Sequence, residues 1–240
     1  MITDARSVCD ERLTRKEVKL LREILRLKKE DTILDLCGGQ GRHSLELARL
    51  GYKKLTVLDS SDYLIRLGRK LARKKRLAVN FILADARSIP IGSHHYSAIF
   101  MMANSFGYFL NEDENCKILK EAGRLLKKGG KLLLDLCSAD YVKRNLVPVS
   151  WHMANNDIIV CRKRKIEKDI VKAQEIVLSK RRGLLRDGHY CEKLYDENKI
   201  KRLFKKAKLK NIKVRKRLNL HKNKTDYGFM TSRMFVTATK

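Results

Sequence analysis

The run Thr32-Ile33-Leu34-Asp35-Leu36-Cys37-Gly38-Gly39-Gln40-Gly41 decides how the rest of the chain reads. Its first five positions are mostly apolar and suit a short buried strand. The three glycines then break the pattern, and Arg42–Leu50 follows as a helix, closed by Gly51 just past its end. A glycine turn between a strand and a helix lets a ligand approach the backbone and leaves the first helix N–H groups facing it. A dinucleotide fingerprint needs a third glycine three residues after Gly41, where this chain has Ser44. What the chain offers instead is an acid, Asp35, inside the strand end.

The same alternation extends outward in both directions. Upstream, Lys16–Leu27 spaces Val18, Leu21, Ile24, Leu25 and Leu27 near a helical period. Downstream, Leu55–Leu58 reads as a strand ending at Asp59. Asp62–Lys75 reads as a helix capped by Ser61 or Asp62. Val79–Leu83 is a strand ending near Asp85, and Tyr96–Ala103 is a strand running into Asn104-Ser105. Glu112–Leu126 is a helix stopped by Lys127-Lys128-Gly129-Gly130, and Lys131–Leu136 is the next strand. Strands alternating with helices predict a parallel sheet covered on both faces. After about Ser138 the rhythm changes. Trp151–Tyr195 shows alternating segments at Asp157–Arg162, Lys165–Glu167, Val171–Ser179 and Gly188–Leu194, with Arg186-Asp187-Gly188 as a turn signal, which predicts an antiparallel meander. A helix over Asp196–Ala207 and strands near Asn211–Leu218 and Met230–Thr239 close the chain.

Four polar features fall at the carboxyl ends of consecutive predicted strands: the glycine turn, Asp59, Asp85 and Asn104. Asp59 lies 18 residues beyond Gly41, where a carboxylate can accept from both hydroxyls of a ribose. Asp85 could accept from an adenine amine. Open α/β sheets bind ligands along that edge. Helix or turn capping is the plain alternative role for both acids.

This set of segments resembles the class I S-adenosylmethionine-dependent methyltransferases. Asp35-Leu36-Cys37-Gly38-Gly39-Gln40-Gly41 resembles their first motif, and Leu126-Lys127-Lys128-Gly129-Gly130-Lys131-Leu132 resembles the turn before their fifth strand, with Lys128 in place of the usual proline. The resemblance covers residues 17–137. It implies an α/β, Rossmann-like fold with a mostly parallel seven-stranded sheet, helices on both faces and an inserted antiparallel meander. The whole chain, 1–240, reads as one domain, with residues 138–195 as an inserted lid. The cofactor implied is S-adenosylmethionine. Gly38, Gly39 and Gly41 would line its methionine part, Asp35 would orient the turn or the amino group, Asp59 would hold the ribose with Ser60 beside the adenine, and Asp85 and Ala86 would contact adenine. No metal is implied.

Methyl transfer is an in-line displacement from an already activated donor, so the protein chiefly positions the partners and excludes water. Enzymes of this kind that act on nucleic-acid bases carry an acid or Asn followed by Pro-Pro and an aromatic after the fourth strand. Here the segment is Asn104-Ser105-Phe106-Gly107-Tyr108-Phe109, which resembles the small-molecule branch. The expected acceptor is a small molecule bearing an amine, a hydroxyl or an acidic carbon. Asn104, Tyr108 and Tyr190 are the candidate catalytic residues; His189, Tyr195 and Arg233 are further pocket candidates. Cys116 and Cys137 read as packing residues and Trp151 as a core anchor. Alternatives are an RNA methyltransferase, a non-catalytic S-adenosylmethionine-binding protein and, less well matched, a dinucleotide-dependent oxidoreductase.

Composition sets the outer limits. The chain has 240 residues, of which 43% are hydrophobic, enough for a substantial core. It carries 55 Lys+Arg against 27 Asp+Glu, a net charge of +28. Residues 1–150 contribute +11 (29 against 18) and residues 151–240 contribute +17 (26 against 9). The basic runs Arg162–Lys165, Lys180–Arg182 and Lys213–Arg217 could meet RNA phosphates; a solvated basic face is the alternative. Six cysteines without a C-x-x-C pair and an N-terminus without an apolar signal core predict a reduced, cytoplasmic protein with no membrane partner.

Overall fold

The computed structural model describes residues 11–218 and 232–240. Met1–Asp10 and the first residues of the last predicted strand lie outside them. Seven strands form the main sheet: β1 (Thr32–Leu36), β2 (Lys54–Asp59), β3 (Asn80–Leu83), β4 (Tyr96–Met101), β5 (Leu126–Cys137), β10 (Lys210–Leu218) and β11 (Arg233–Thr239). Their order is β10-β11-β5-β4-β1-β2-β3. The pairings from β5 through β4 and β1 to β3 are all parallel, and β11 runs antiparallel to both β5 and β10.

Period-two alternation explains why both faces of this sheet are covered. Leu34, Ile99, Leu132 and Leu134 point to one side, into a core shared with Leu119 and Ala122 of α4 (Glu112–Leu125) and Leu203 and Phe204 of α6 (Glu197–Lys206). Their chain neighbours Ile33, Phe100 and Leu133 point to the other side, against Val18 and Leu21 of α1 (Glu11–Leu25) and Leu47 of α2 (Arg42–Arg49). The remaining main-domain helix, α3 (Asp62–Lys74), packs Ile65 and Ala72 on Val57 and Phe81. The predicted caps are in place: the Ser61 hydroxyl accepts from Leu64 N, and the Asp196 carboxylate accepts from Lys199 N at 2.7 Å.

A second sheet of four antiparallel strands is inserted after β5. It follows the short helix α5 (Ala139–Asn145) and runs β6 (Val149–Met153), β7 (Ile158–Glu167), β8 (Ile170–Ser179), β9 (Gly183–Lys193) in order. The meander is therefore present, but its turns differ from those the sequence suggests. Asp157–Arg162 and Lys165–Glu167 fall, but for Asp157 just before it, within the single strand β7. Arg186-Asp187-Gly188 lies inside β9, where Asp187 pairs with Ile176. The reversal sits at Lys180–Arg182 instead. There the Ser179 hydroxyl accepts from Arg181 N (3.2 Å) and Arg182 N (3.0 Å), and Gly183 takes a left-handed φ of 73°.

Candidate functional site: the carboxyl edge of the main sheet and the lid above it

The glycine turn leaves β1 through Cys37 (φ 56°) and passes Gly39 (φ 58°) and Gly41 (φ 74°) before entering α2. Gly38 N donates to Leu58 O at 3.1 Å and Gly41 N to Gly38 O at 2.9 Å, so the turn is tied to β2. A Cβ on Gly41 would sit 2.8 Å from Val57 Cγ2, and one on Gly38 would sit 2.6 Å from Asp35 Oδ1. Only glycine fits either place. Burial pushes the Cys37 thiol up, with Asp59 and Asp35 adding to it, so Cys37 is not a nucleophile.

Asp59 ends β2 facing that turn. Its Oδ2 accepts from Gly39 N at 2.8 Å and its Oδ1 from Ser61 N at 2.9 Å. A carboxylate offers about four acceptor positions, so these two bonds fix its orientation and leave acceptors over. Asp35 is buried beneath the turn. Its Oδ2 accepts from Ser44 Oγ at 3.0 Å, while Oδ1 has no hydrogen-bond partner. Burial raises its pKa to about 7 against the opposing Ser44 bond and the Arg42 charge. Asp85, beyond β3, accepts from Arg87 N and forms a two-pronged ion pair with the Arg87 guanidinium, which also reaches Glu114 and lies over the Phe109 ring. Ala86 is buried and Ser60 exposed.

A buried ionic network underlies the neighbouring strand ends. Arg233, at the start of β11, lies between Asp135 of β5 and Glu17 of α1, bonding Asp135 Oδ1 through Nε at 2.8 Å and pairing with Glu17 through Nη1. Glu17 also pairs with Arg42 and accepts from His43 Nε2. Burial pushes Glu17 up, but Arg42, the His43 bond and Arg233 outweigh it and hold it well below the usual carboxylate range. Burial and Arg42 hold His43 down at about 4, so it is neutral and donates through Nε2. Asp135 Oδ2 in turn accepts from Ala103 N at 2.7 Å. That bond secures a backbone in which Ala103 (φ 59°) and Asn104 (φ 58°) are both left-handed. Arg233 is thus a buried structural cation, not the pocket residue the sequence suggested.

The inserted sheet, the expected lid, meets this edge through Asn104. Its Oδ1 accepts from Cys137 N at 2.9 Å and its Nδ2 donates to Glu192 Oε1 of β9 at 2.7 Å. Lys193 N donates to Gly107 O at 2.7 Å beside it. Glu192 is almost completely buried, and burial pushes its pKa to about 7 despite Asn104 and the Arg164 charge. Alternation along β9 puts Tyr190 on the same face as Glu192, and the Tyr190 ring lies 6.3 Å from that of Tyr108. Tyr108 keeps 42% of its surface accessible, so it is not packed in the core, although burial, then Glu192 and Tyr190, push its hydroxyl well up. Arg162 and Glu175 pair across the same inward face, and Arg164 Nη1 bonds Ser150 Oγ at 2.8 Å.

Comparison with known proteins agrees with this layout. Residues 33–130 match the family model described as methyltransferase domain. A ubiquinone/menaquinone biosynthesis C-methyltransferase from Blochmanniella floridana is 36% identical over 106 residues, 42% of this chain and 40% of that one. One from Shewanella sediminis is 31% identical over 106 residues, 42% and 41% of the two chains. The chain spans about two fifths of the length of these curated relatives. An S-adenosylmethionine-dependent methyltransferase structure from Clostridium acetobutylicum superposes with a TM-score of 0.78 at 18% identity, covering 99% of this chain and 96% of that one. The fold is that of the class I methyltransferases. S-adenosylmethionine-bound CalS10, an amino pentose methyltransferase from Micromonospora echinaspora, shares it with a TM-score of 0.69 at 14% identity over 98% of this chain and 94% of that one.

Within this class I methyltransferase fold, the residues singled out from sequence fall into three groups. Gly38, Gly39, Gly41, Asp35, Asp59 and Ser60 cluster at the ends of β1 and β2, with Asp85 and Ala86 beyond β3. Asn104, Tyr108 and Tyr190 converge where the lid meets β4. His189 faces the outer surface of the lid, and Tyr195 is buried against Phe106, so neither joins them. Cys116 and Cys137 are buried, as packing residues should be, and Trp151 is 66% exposed where a core anchor was expected. Glu192 was missed. It sits two residues after Tyr190 in an alternating strand, which was the available signal.

Proposed function

We propose that this protein transfers a methyl group from S-adenosylmethionine to a small-molecule acceptor held between the β4 loop and the lid. The observation that carries the reading is Asp59: two backbone N–H bonds orient its carboxylate at the glycine turn and leave acceptors free for a ribose. The other residues fit the same cofactor. Gly38 lets the turn lie directly against the Asp35 carboxyl, whose unpartnered Oδ1 can accept from an ammonium group. When bound, S-adenosylmethionine supplies an electrophilic methyl on a positively charged sulfur.

The chain's own residues then position and shelter the acceptor. Tyr108 and Tyr190, with rings 6.3 Å apart, would flank it. Asn104 holds Glu192, which can take the proton released as an amine or hydroxyl is methylated. Binding at the carboxyl edge follows the general rule for open α/β sheets. The methyltransferase relatives, including an amino pentose enzyme and C-methyltransferases of quinone biosynthesis, support a small acceptor. The RNA reading is weakened because Arg162 and Arg164 turn inward onto Glu175 and Ser150. A cytoplasmic location belongs to the same reading; no helix among the described residues is long and apolar enough to cross a membrane.

Calorimetry with S-adenosylmethionine and with NAD tests the cofactor, and labelled-methyl transfer into a metabolite extract and into RNA tests the acceptor. Binding of NAD alone overturns the reading. Methyl label in RNA and none in metabolites replaces the acceptor, and cofactor binding without transfer to either leaves a binding protein.

A further inference from the structure

The outer face of the lid is the part of the molecule that methyl transfer does not use. Its inner face is filled by Val160, Arg162, Val171 and Glu175. The opposite face is also apolar, yet open. Trp151 and Val149 are each 66% exposed and Leu184 61%, with Met153 and Leu185 beside them. The strand register makes these one patch. Trp151 pairs with Cys161, Met153 with Ile159, Ile159 with Leu178, and Leu178 with Leu184. The patch sits toward the free end of the lid, where the β6–β7 and β8–β9 turns lie together: Lys180 N donates to Asp157 O at 2.9 Å. This end is remote from the Gly107–Lys193 bond that joins the lid to the catalytic edge.

Charge identifies the occupant. The β8–β9 turn directly before Leu184 and Leu185 is Lys180-Arg181-Arg182, all exposed, and Lys163 pairs with Val149 across the strands. No acidic partner is bonded to the side chains of Lys180, Arg181 or Arg182 among the described residues. The acids nearby bond elsewhere, Asp157 to Ser179 Oγ and Asp187 to Gln174. A second copy would bring the same basic turn and another +28 of charge to the contact. Folded RNA offers phosphates but nothing for Leu184, Val149 and Met153. A surface that is anionic outside and apolar a few ångströms deeper matches both halves of the patch.

We propose that the free end of the lid docks peripherally on anionic lipid bilayers, inserting Trp151, Met153, Leu184 and Leu185 while Lys180, Arg181 and Arg182 meet the headgroup phosphates. The contact lies on the bilayer surface and involves no spanning segment. It leaves the catalytic edge outside the contact, so it stands whether or not the cofactor reading holds.

Trp151 is the only tryptophan in the chain, so its emission reports the patch directly. The protein should co-sediment with phosphatidylcholine vesicles containing phosphatidylglycerol, and not with phosphatidylcholine alone, with a blue shift of the Trp151 emission on binding. Replacing Lys180, Arg181 and Arg182 together by Gln should lower partitioning about 100-fold. Leu184→Glu should abolish the blue shift while leaving thermal melting and S-adenosylmethionine binding unchanged, since it touches neither core nor site. Four results overturn the proposal. They are no binding to the anionic vesicles; binding without a Trp151 shift, which means phosphate attraction alone; a shift that appears without vesicles as protein concentration rises, which means a second copy; and a Trp151 shift produced by RNA in place of vesicles.

Discussion

Replacing Glu192 by Gln should change how stability responds to pH, and the size of the change follows from its environment. Glu192 is buried, holds a 2.7 Å bond from Asn104 Nδ2, and is raised from 4.5 to about 7 chiefly by burial. In the folded protein it therefore keeps its proton up to about pH 7, whereas in the unfolded chain it loses it near pH 4.5. Between those values unfolding releases a proton, so its contribution to stability is full below 4.5 and falls as pH rises. At about 1.4 kcal/mol per pH unit the loss across the window totals about 3 kcal/mol. Gln does not titrate, and its carbonyl can still accept from Asn104. The variant should match the wild type near pH 4.5 and exceed it by about 3 kcal/mol above pH 7. Denaturant unfolding of both proteins across this range measures the difference. Subtraction removes Asp35, which titrates in the same window, and Glu167 and Glu197, held near 2 by lysines, titrate below it. A difference that stays flat with pH refutes the reasoning, because it would mean that the buried carboxylate is an ordinary one. The same protonation governs function under the proposed mechanism: methyl transfer should rise as pH climbs through about 7, and Glu192→Gln should remove that limb of the profile.

Other expectations follow from single contacts. Asp59→Ala removes charge-assisted acceptors at the glycine turn and should weaken S-adenosylmethionine binding by about 1.5–3 kcal/mol, roughly 10- to 150-fold, by calorimetry; unchanged affinity takes Asp59 out of the site. Arg233→Met leaves Asp135 and Glu17 buried without their shared cation and should cost about 3–5 kcal/mol in denaturant unfolding. Gly107→Ala forces a side chain onto a φ of 100° and to 2.7 Å from Lys193 O. It should destabilise by about 1–3 kcal/mol, with faster proteolysis within residues 149–193 as the sign that the lid has come loose.

How much of this was legible depends on the range of the interactions. The main sheet could be read because its central strands β1, β4 and β5 are buried on both faces and helices such as α3 and α6 carry their own caps, as Ser61 and Asp196 show. The glycine turn and Asp59 could be read because their spacing is local. The β8–β9 turn was obscured: Lys180-Arg181-Arg182 reads as a charged run, and the reversal depends on the Ser179 hydroxyl and on Gly183 just after it, whereas Arg186-Asp187-Gly188 carries the more familiar turn pattern. Arg233 was misread because its partners lie 98 and 216 positions away, and no pattern in the neighbouring residues announces them. Trp151 was misread because burial belongs to the assembled molecule: the strand β6 was not among the segments read from sequence, and its alternation does not say which face stays open.

Asn104 touches both halves of the molecule with one amide, the sheet through Cys137 and the lid through Glu192. Its reach makes the lid exchangeable in principle. A graft that replaced residues 149–193 wholesale would meet the main domain at a set of polar points among which the Asn104–Glu192 bond joins two buried side chains. Engineers seeking a new acceptor could therefore vary the rest of the lid freely, provided that the incoming strand brings its own acceptor to that amide or that Asn104 is replaced in the same step.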